Sequence, residues 1–194
     1  MHFKYLDIDT DYKLLEDFAV RCKAKNYLNN STVEIMTHKK TNEAHDQTIL
    51  GLDSNGAVQA FAGCHLFSSG ADLGTVWRLG DRLVNLSRDS SLFQGTSAVM
   101  MALLVMWVER TMSYKSIKYI TTTNSPEYSN ETSGKSHKMD AAFKRRGIQT
   151  ELIWEDAQVY GITQNMYRVD TEALRTTFNN QHSKHTYEKG MIID

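Results

Sequence analysis

The sequence predicts one α/β (α+β) domain built on a mixed, mostly antiparallel sheet of six to seven strands, with helices on both faces. Three observations carry that expectation. Thr48–Leu52 and Ala57–Phe67 are β-rich runs joined by Asp53-Ser54-Asn55-Gly56, whose Asn-Gly supplies positive φ for a hairpin turn. The second half of the chain alternates helical and extended patterns, which calls for helices packed on a sheet. The run Ala98–Val108 is apolar on every side, so it needs cover on several sides.

In chain order, Phe3–Ile8 reads as a first strand. Asp11–Cys22 reads as an amphipathic helix through Leu14, Leu15, Phe18 and Cys22, started by Thr10 or Asp11. Asn29-Asn30-Ser31 precedes a second helix at about Thr32–Thr37. After the hairpin, Ser68–Gly74 leads to a strand at Thr75–Leu86, in which Asp81 shares the alternation of Trp77, Leu79 and Leu83. A helix over Thr96–Met112, a β-branched strand at Lys118–Thr123 and a helix at Lys135–Arg146 closed by Gly147 follow. Glu151–Glu155 and Val159–Val169 are the closing strands. Residues 1–173 thus form the domain, and 174–194 read as a polar tail without structure of its own.

Composition narrows the function classes. The 194 residues hold 22 Lys+Arg against 23 Asp+Glu, a net charge of −1, which argues against a protein devoted to the nucleic-acid backbone. The apolar run is well short of the roughly 20 residues that cross a bilayer, so no membrane role is expected. Charge near the N-terminus, in Met1-His2-Phe3-Lys4, is unlike a signal peptide. Cys22 and Cys64 are too few for a disulfide framework and read as reduced thiols of a cytosolic, cytoplasmic protein.

Tyr119-Ile120-Thr121-Thr122-Thr123-Asn124, followed by Met139-Asp140-Ala141-Ala142-Phe143-Lys144-Arg145-Arg146-Gly147-Ile148, resembles the GNAT (GCN5-related N-acetyltransferase) superfamily over roughly residues 3–170. A narrower likeness is to acyl-homoserine-lactone synthases, through Thr48–Asp53, Val76–Gly80 and Tyr119–Asn124. Arg78 and Asp81 reverse that family's acidic-then-basic polarity, and His65 stands where it has an arginine, so the likeness carries the fold and not the lactone chemistry. Gly63-Cys64-His65 and Ser133–His137 look similar to small GNAT-like proteins of tailed phages.

The resemblance implies an acyltransferase that moves an acyl group from acetyl-CoA, another acyl-CoA or an acyl-carrier thioester to an amine acceptor by direct transfer. The alternatives are a GNAT-shaped binding or host-takeover module without chemistry, and a lactone-synthase-like enzyme using S-adenosylmethionine. It also implies that the donor is held by Gln94, Gly95, Thr96 and Ser97 at a helix N-terminus, with Leu83, Val84, Asn85 and Asn124 as further cofactor-binding positions. Thr96 or Ser97 as a plain helix cap is the competing reading.

For catalysis, His65 is the candidate general base, because its ordinary pKa lets it take a proton from an amine near neutral pH. Asp81 is the competing base, although a salt bridge to Arg78 or Arg82 explains it equally. Tyr160 is the candidate acid for a leaving thiolate, with sheet packing as its simpler explanation. Ser133, Lys135 and His137, at the start of a helix, form a candidate anion site for acceptor or donor phosphate. Ser133-Gly134-Lys135-Ser136 is no P-loop, because the required earlier glycine position is Ser129. No metal site is expected: the pairs His38/His45 and His182/His185 have no third ligand at metal spacing.

Overall fold

The structure, a computed structural model, describes residues 1–24, 46–68, 75–79, 84–86, 95–111, 119–124, 143–159 and 162–192. Strand β1 (His2–Tyr5) enters helix α1 (Ile8–Ala24), and the hairpin β2 (Asp46–Leu52) and β3 (Val58–Ser68) follows. Strands β4 (Thr75–Leu79) and β5 (Val84–Asn85) precede helix α2 (Thr96–Thr111). Strands β6 (Tyr119–Asn124), β7 (Thr150–Val159) and β8 (Ile162–Asp170), helix α3 (Thr171–Gln181), a 3₁₀ turn at His182–Lys184 and β9 (Thr186–Tyr187) complete the order. All strands join one sheet in the order β7-β8-β6-β4-β3-β2-β1-β9, with β5 beside β4 on the same side of β3. Only β4–β6 and β1–β9 are parallel pairs among the described residues.

Local chemistry explains where the elements begin and turn. The side chain of Asp7 accepts the Asp9 N–H at 3.1 Å, so α1 starts at Ile8, and β1 ends at Tyr5. That is earlier than a cap at Thr10 or Asp11. Asp11 instead sits buried in the first turn, where it accepts the Asp7 N–H at 3.0 Å and Lys4 Nζ at 2.9 Å. In the hairpin, Gly56 N–H donates to Asp53 O and Gly56 has φ +78°. The Asp53 carboxylate accepts the Asn55 and Ala57 amides and Gln59 Nε2. Burial, the largest single effect, raises its pKa, but these bonds and the nearby Arg21 charge together outweigh it and hold the pKa below the usual carboxylate value. Gly147, φ +73°, closes a helical turn with Ile148 N–H on Phe143 O and Gly147 N–H on Lys144 O, the Schellman pattern, and Phe143 and Ile148 are both buried beside it.

The sheet has two buried faces. On one lie Leu50, Leu52, Val58 and Phe61 against Leu15, Phe18, Ala19 and Cys22 of α1. On the other lie Ile49, Ala60, Ala62 and Cys64 against α2, with Leu174 and Phe178 of α3 in the same cluster. The register slips beyond Gly51, so that Leu52 opposes Val58 while Gly51 opposes Ala60. This bulge turns Val58 to the α1 face although Ala60, two residues on, faces α2. Among the described residues the sheet has nine strands; β4 and β5 both fall within the expected strand Thr75–Leu86, and β9 is additional. The second helix at Thr32–Thr37 and most of the Lys135–Arg146 helix lie outside the described residues.

The expectation of a structureless tail after residue 173 is overturned by α3, the 3₁₀ turn and β9. Asp170 caps α3 by accepting the Glu172 N–H at 2.9 Å, and Leu174, Thr177 and Phe178 bury the face that packs on α2. Composition hid this helix, since two large apolar side chains at i and i+4 suffice when a neighbour covers them. Because Leu103 is fully buried in α2, Leu103→Asp places an unpaired charge in the core and should cost upwards of about 4 kcal/mol. The expected result is loss of the cooperative melting transition followed by circular dichroism; a parent-like Tm would show that α2 is not the core helix.

Candidate functional site

Two features of the topology mark candidate positions for a site. Helix α2 is the crossover between the parallel neighbours β4 and β6, so its N-terminus returns to the end of the sheet where both strands finish. The parallel pair is registered at Arg78–Thr121, and β5 is registered with β3. Strand β6 pairs with β8 along its other edge over its whole length. In sheets with helical crossovers, the crevice outside the carboxyl ends of the parallel strands is where ligands bind.

The N-terminus of α2 is built around Gly95. This residue has φ +87° and accepts the first helical bond, from Val99 N–H, at 3.0 Å. Gly95 and Thr96 are buried and Ser97 is half-buried. The end of α3 lies directly over it: a Cβ on Gly95 would stand 2.7 Å from Gln181 Nε2. Glycine is thus needed both for the left-handed backbone and for the approach of Gln181. The α2 N-terminus also carries the positive end of a 16-residue helix dipole.

The second feature is a row of polar positions in unbroken register across six strands. Asp46 opposes His65, His65 opposes Arg78, Arg78 opposes Thr121, Thr121 opposes Arg168, and Arg168 opposes Glu151. Positions in register share a face. Counting by two from Phe61 puts position 65 on the face that carries α1. At the far end, Arg168 pairs with Glu151 at 3.3 Å. The row crosses the sheet through the registered parallel pair Arg78–Thr121.

Of the residues singled out from sequence, the structure thus brings His65 into the row. Val84 and Asn85 form β5, opposite Phe61 and Ala60. Gly95, Thr96 and Ser97 form the start of α2, and Asn124 is the last residue of β6, opposite Asn165. Asp81, Leu83, Gln94, Ser133, Lys135, His137 and Tyr160 lie outside the described residues. Asp46, Thr121, Arg168, Glu151 and Gln181 were not singled out. Asp46 was within reach, since the hairpin turn at Asp53–Gly56 nearly sets its opposition to His65. Thr121, Arg168 and Glu151 join the row only through the β4–β6 and β6–β8 pairings, between segments far apart in sequence, and Gln181 meets Gly95 only through the packing of α3 on α2.

No protein-family model and no curated protein matches the sequence. Solved structures do resemble it. The CoA-dependent acyl-homoserine lactone synthase BjaI, solved with SAM and isopentyl-CoA, superposes with a TM-score of 0.55 at 12% identity, covering 96% of this chain and 92% of that one. The CoA-dependent synthase MesI gives 0.54 at 13% identity, covering 97% and 99%. Aminoglycoside 6'-acetyltransferase type Ii gives 0.50 at 13%, covering 88% and 97%. The fold is GNAT-like. At these identities the likeness is one of fold, and it extends over nearly the whole of each chain.

The position of Gly95 in this GNAT-like fold yields a direct test. Gly95→Ala should destabilise the protein by about 1–2 kcal/mol, the sum of a left-handed backbone cost and displacement of Gln181. In a Gln181→Ala background the penalty should shrink to the backbone part, about 1 kcal/mol. Chemical denaturation of the four proteins checks this, and strictly additive effects would show that the two residues do not touch.

Proposed function

We propose that the chain is an acyltransferase that moves an acyl group from an acyl-CoA or acyl-carrier thioester to an amine acceptor by direct transfer. The observation that carries this reading is the start of α2, at Gly95, at the carboxyl end of the parallel pair β4–β6 in a GNAT-like fold. The positive end of the α2 dipole suits the phosphates of a CoA-type donor, and the missing Cβ of Gly95 lets them approach the backbone. Thr96, Ser97 and Gln94 complete that cradle in this reading. Leu83, Val84, Asn85 and Asn124 flank the donor's thioester arm.

The transfer requires few groups. The amine nitrogen attacks the thioester carbonyl carbon, a C–N bond forms and the C–S bond breaks. His65 takes the proton that the amine loses. Tyr160 gives a proton to the departing thiolate. Asp81 is the alternative base. Ser133, Lys135 and His137 bind an anionic part of the acceptor or the donor phosphate. The partners are small molecules, with no role assigned to nucleic acid or membrane; no helix among the described residues is long and apolar enough to cross a bilayer.

A second reading, a GNAT-shaped binding module without chemistry, draws on Gln181, which already rests on Gly95 where the donor's phosphate would sit. Calorimetry with acetyl-CoA, with a longer acyl-CoA and with S-adenosylmethionine separates the readings. The acyltransferase should bind a CoA thioester; no heat with any donor would leave the binding module. Gly95→Glu should weaken the donor at least about tenfold relative to Gly95→Ala, which carries the same backbone cost without the negative charge. Equal affinities would remove the donor from this helix end. His65→Ala should leave donor affinity unchanged and lower kcat by about 100-fold or more.

A further inference from the structure

The segment after α3 wraps the molecule like a strap. Thr186 N–H donates to Met1 O at 3.1 Å and Glu188 N–H to Phe3 O at 2.8 Å, which pairs β9 with β1 in parallel. The Glu188 carboxylate accepts the Tyr5 N–H, Met191 is fully buried, and Arg110 of α2 donates to the carbonyls of Gly190 and Met191. Residue by residue, the strap satisfies its polar groups.

His185 is the exception. Its ring meets Phe3 edge-on at 5.2 Å, and neither Nδ1 nor Nε2 has a hydrogen-bond partner although both are shut off from solvent. An imidazole so placed leaves one donor and one acceptor unmet when neutral, and would leave two donors unmet and a charge unpaired when protonated. The charged groups around it add to the penalty. From β1 comes the Met1 amino group and from its own turn Lys184, both cationic. The acidic group of the strap, Glu188, is turned to the Tyr5 amide. Arg110, from α2, is engaged with Tyr5 Oη and the strap carbonyls. His2 and His182 flank the joint, with their Nδ1 atoms on Thr186 Oγ1 and Asn179 O. Tyr187, which stacks on Phe3, is neutral, its pKa pushed up to about 12 by burial.

We infer that the segment 182–192 is a proton-released clasp: His185 closes it in the neutral form, and protonation of His185 opens the β9–β1 pairing while the rest of the fold stays intact. Burial first, then the Met1 amino group and Lys184, push the pKa of the closed form down to about 4 from 6.5. The sign follows from that depression: the open form binds the proton more tightly, so closure is complete above about pH 6.5 and weakens steadily as pH falls toward 4. Opening should then rise about 30-fold between about pH 8 and about pH 5.

Hydrogen exchange on the full chain, corrected for intrinsic rates, tests the clasp. Protection of the Thr186 and Glu188 amides should fall by that factor while Ile49 and Ala62, in the β2–β3 hairpin, keep theirs. His185→Phe, which fills the same aromatic site without a titrating group, should make the strap's protection independent of pH. A flat profile in the parent, an unchanged decline in His185→Phe, or loss of strap and hairpin protection together would overturn the inference. The His185 ring resonance of the unaltered protein gives a check that needs no variant: a midpoint near 6.5 would overturn it, and one near 4 in the closed form supports it.

Discussion

Helix α2 can exist only if it is covered, and the rest of the molecule is arranged around that requirement. From Ala98 to Val105 each residue is essentially inaccessible, so this stretch has no polar face to offer water. One side of the sheet covers it through Ile49, Ala60, Ala62 and Cys64, and α3 covers it through Leu174 and Phe178. Phe143, Ile148 and Met191 belong to the same cluster. The helix regains polar company only in its last turn, where Glu109 pairs with Arg175 of α3 and Arg110 reaches Tyr5 and the strap. Its placement as a crossover makes β4 and β6 parallel neighbours.

The opposite face of the sheet has different work. Helix α1 covers the hairpin end of it, with Phe18 and Phe61 stacked and Arg21 lying over the Phe18 ring while donating to Val58 O. The register slip beyond Gly51 gives this face Leu52, Val58 and Phe61 in succession. Farther along β3, position 65 has the same alternation as Phe61 and is in register with the polar positions from Asp46 to Glu151.

Sequence reading found the features whose causes are local. Gly56 and Gly147 each close a turn through their own backbone freedom, and α2 announces itself by an apolar run no other element could absorb. The GNAT-like architecture followed from element order for the same reason. It failed where a distant partner decides. Thr10 and Asp11 were the candidates to start α1, but Asp7 caps it, and the Lys4 side chain claims Asp11 from the neighbouring strand. The strap was missed because β9 is two residues long and is a strand only by virtue of β1. Of the site, His65 and the α2 N-terminus were legible as residue types in suggestive places. Their neighbours in the row were not, since Thr121 and Arg168 reach His65 only through pairings across four strands.

The pairing of β1 with β9 also bears on how the protein is made. The two partners are 184 residues apart in the chain, as are His2 and Thr186, whose side chains meet. Strand β1 therefore leaves the ribosome 184 residues ahead of β9. In that interval the β1 edge, with Phe3 on it, stays open to any other chain that can offer a strand. The nascent protein has all of that time in which to mispair at the edge, and it acquires protection there only when a short turn and a two-residue strand arrive.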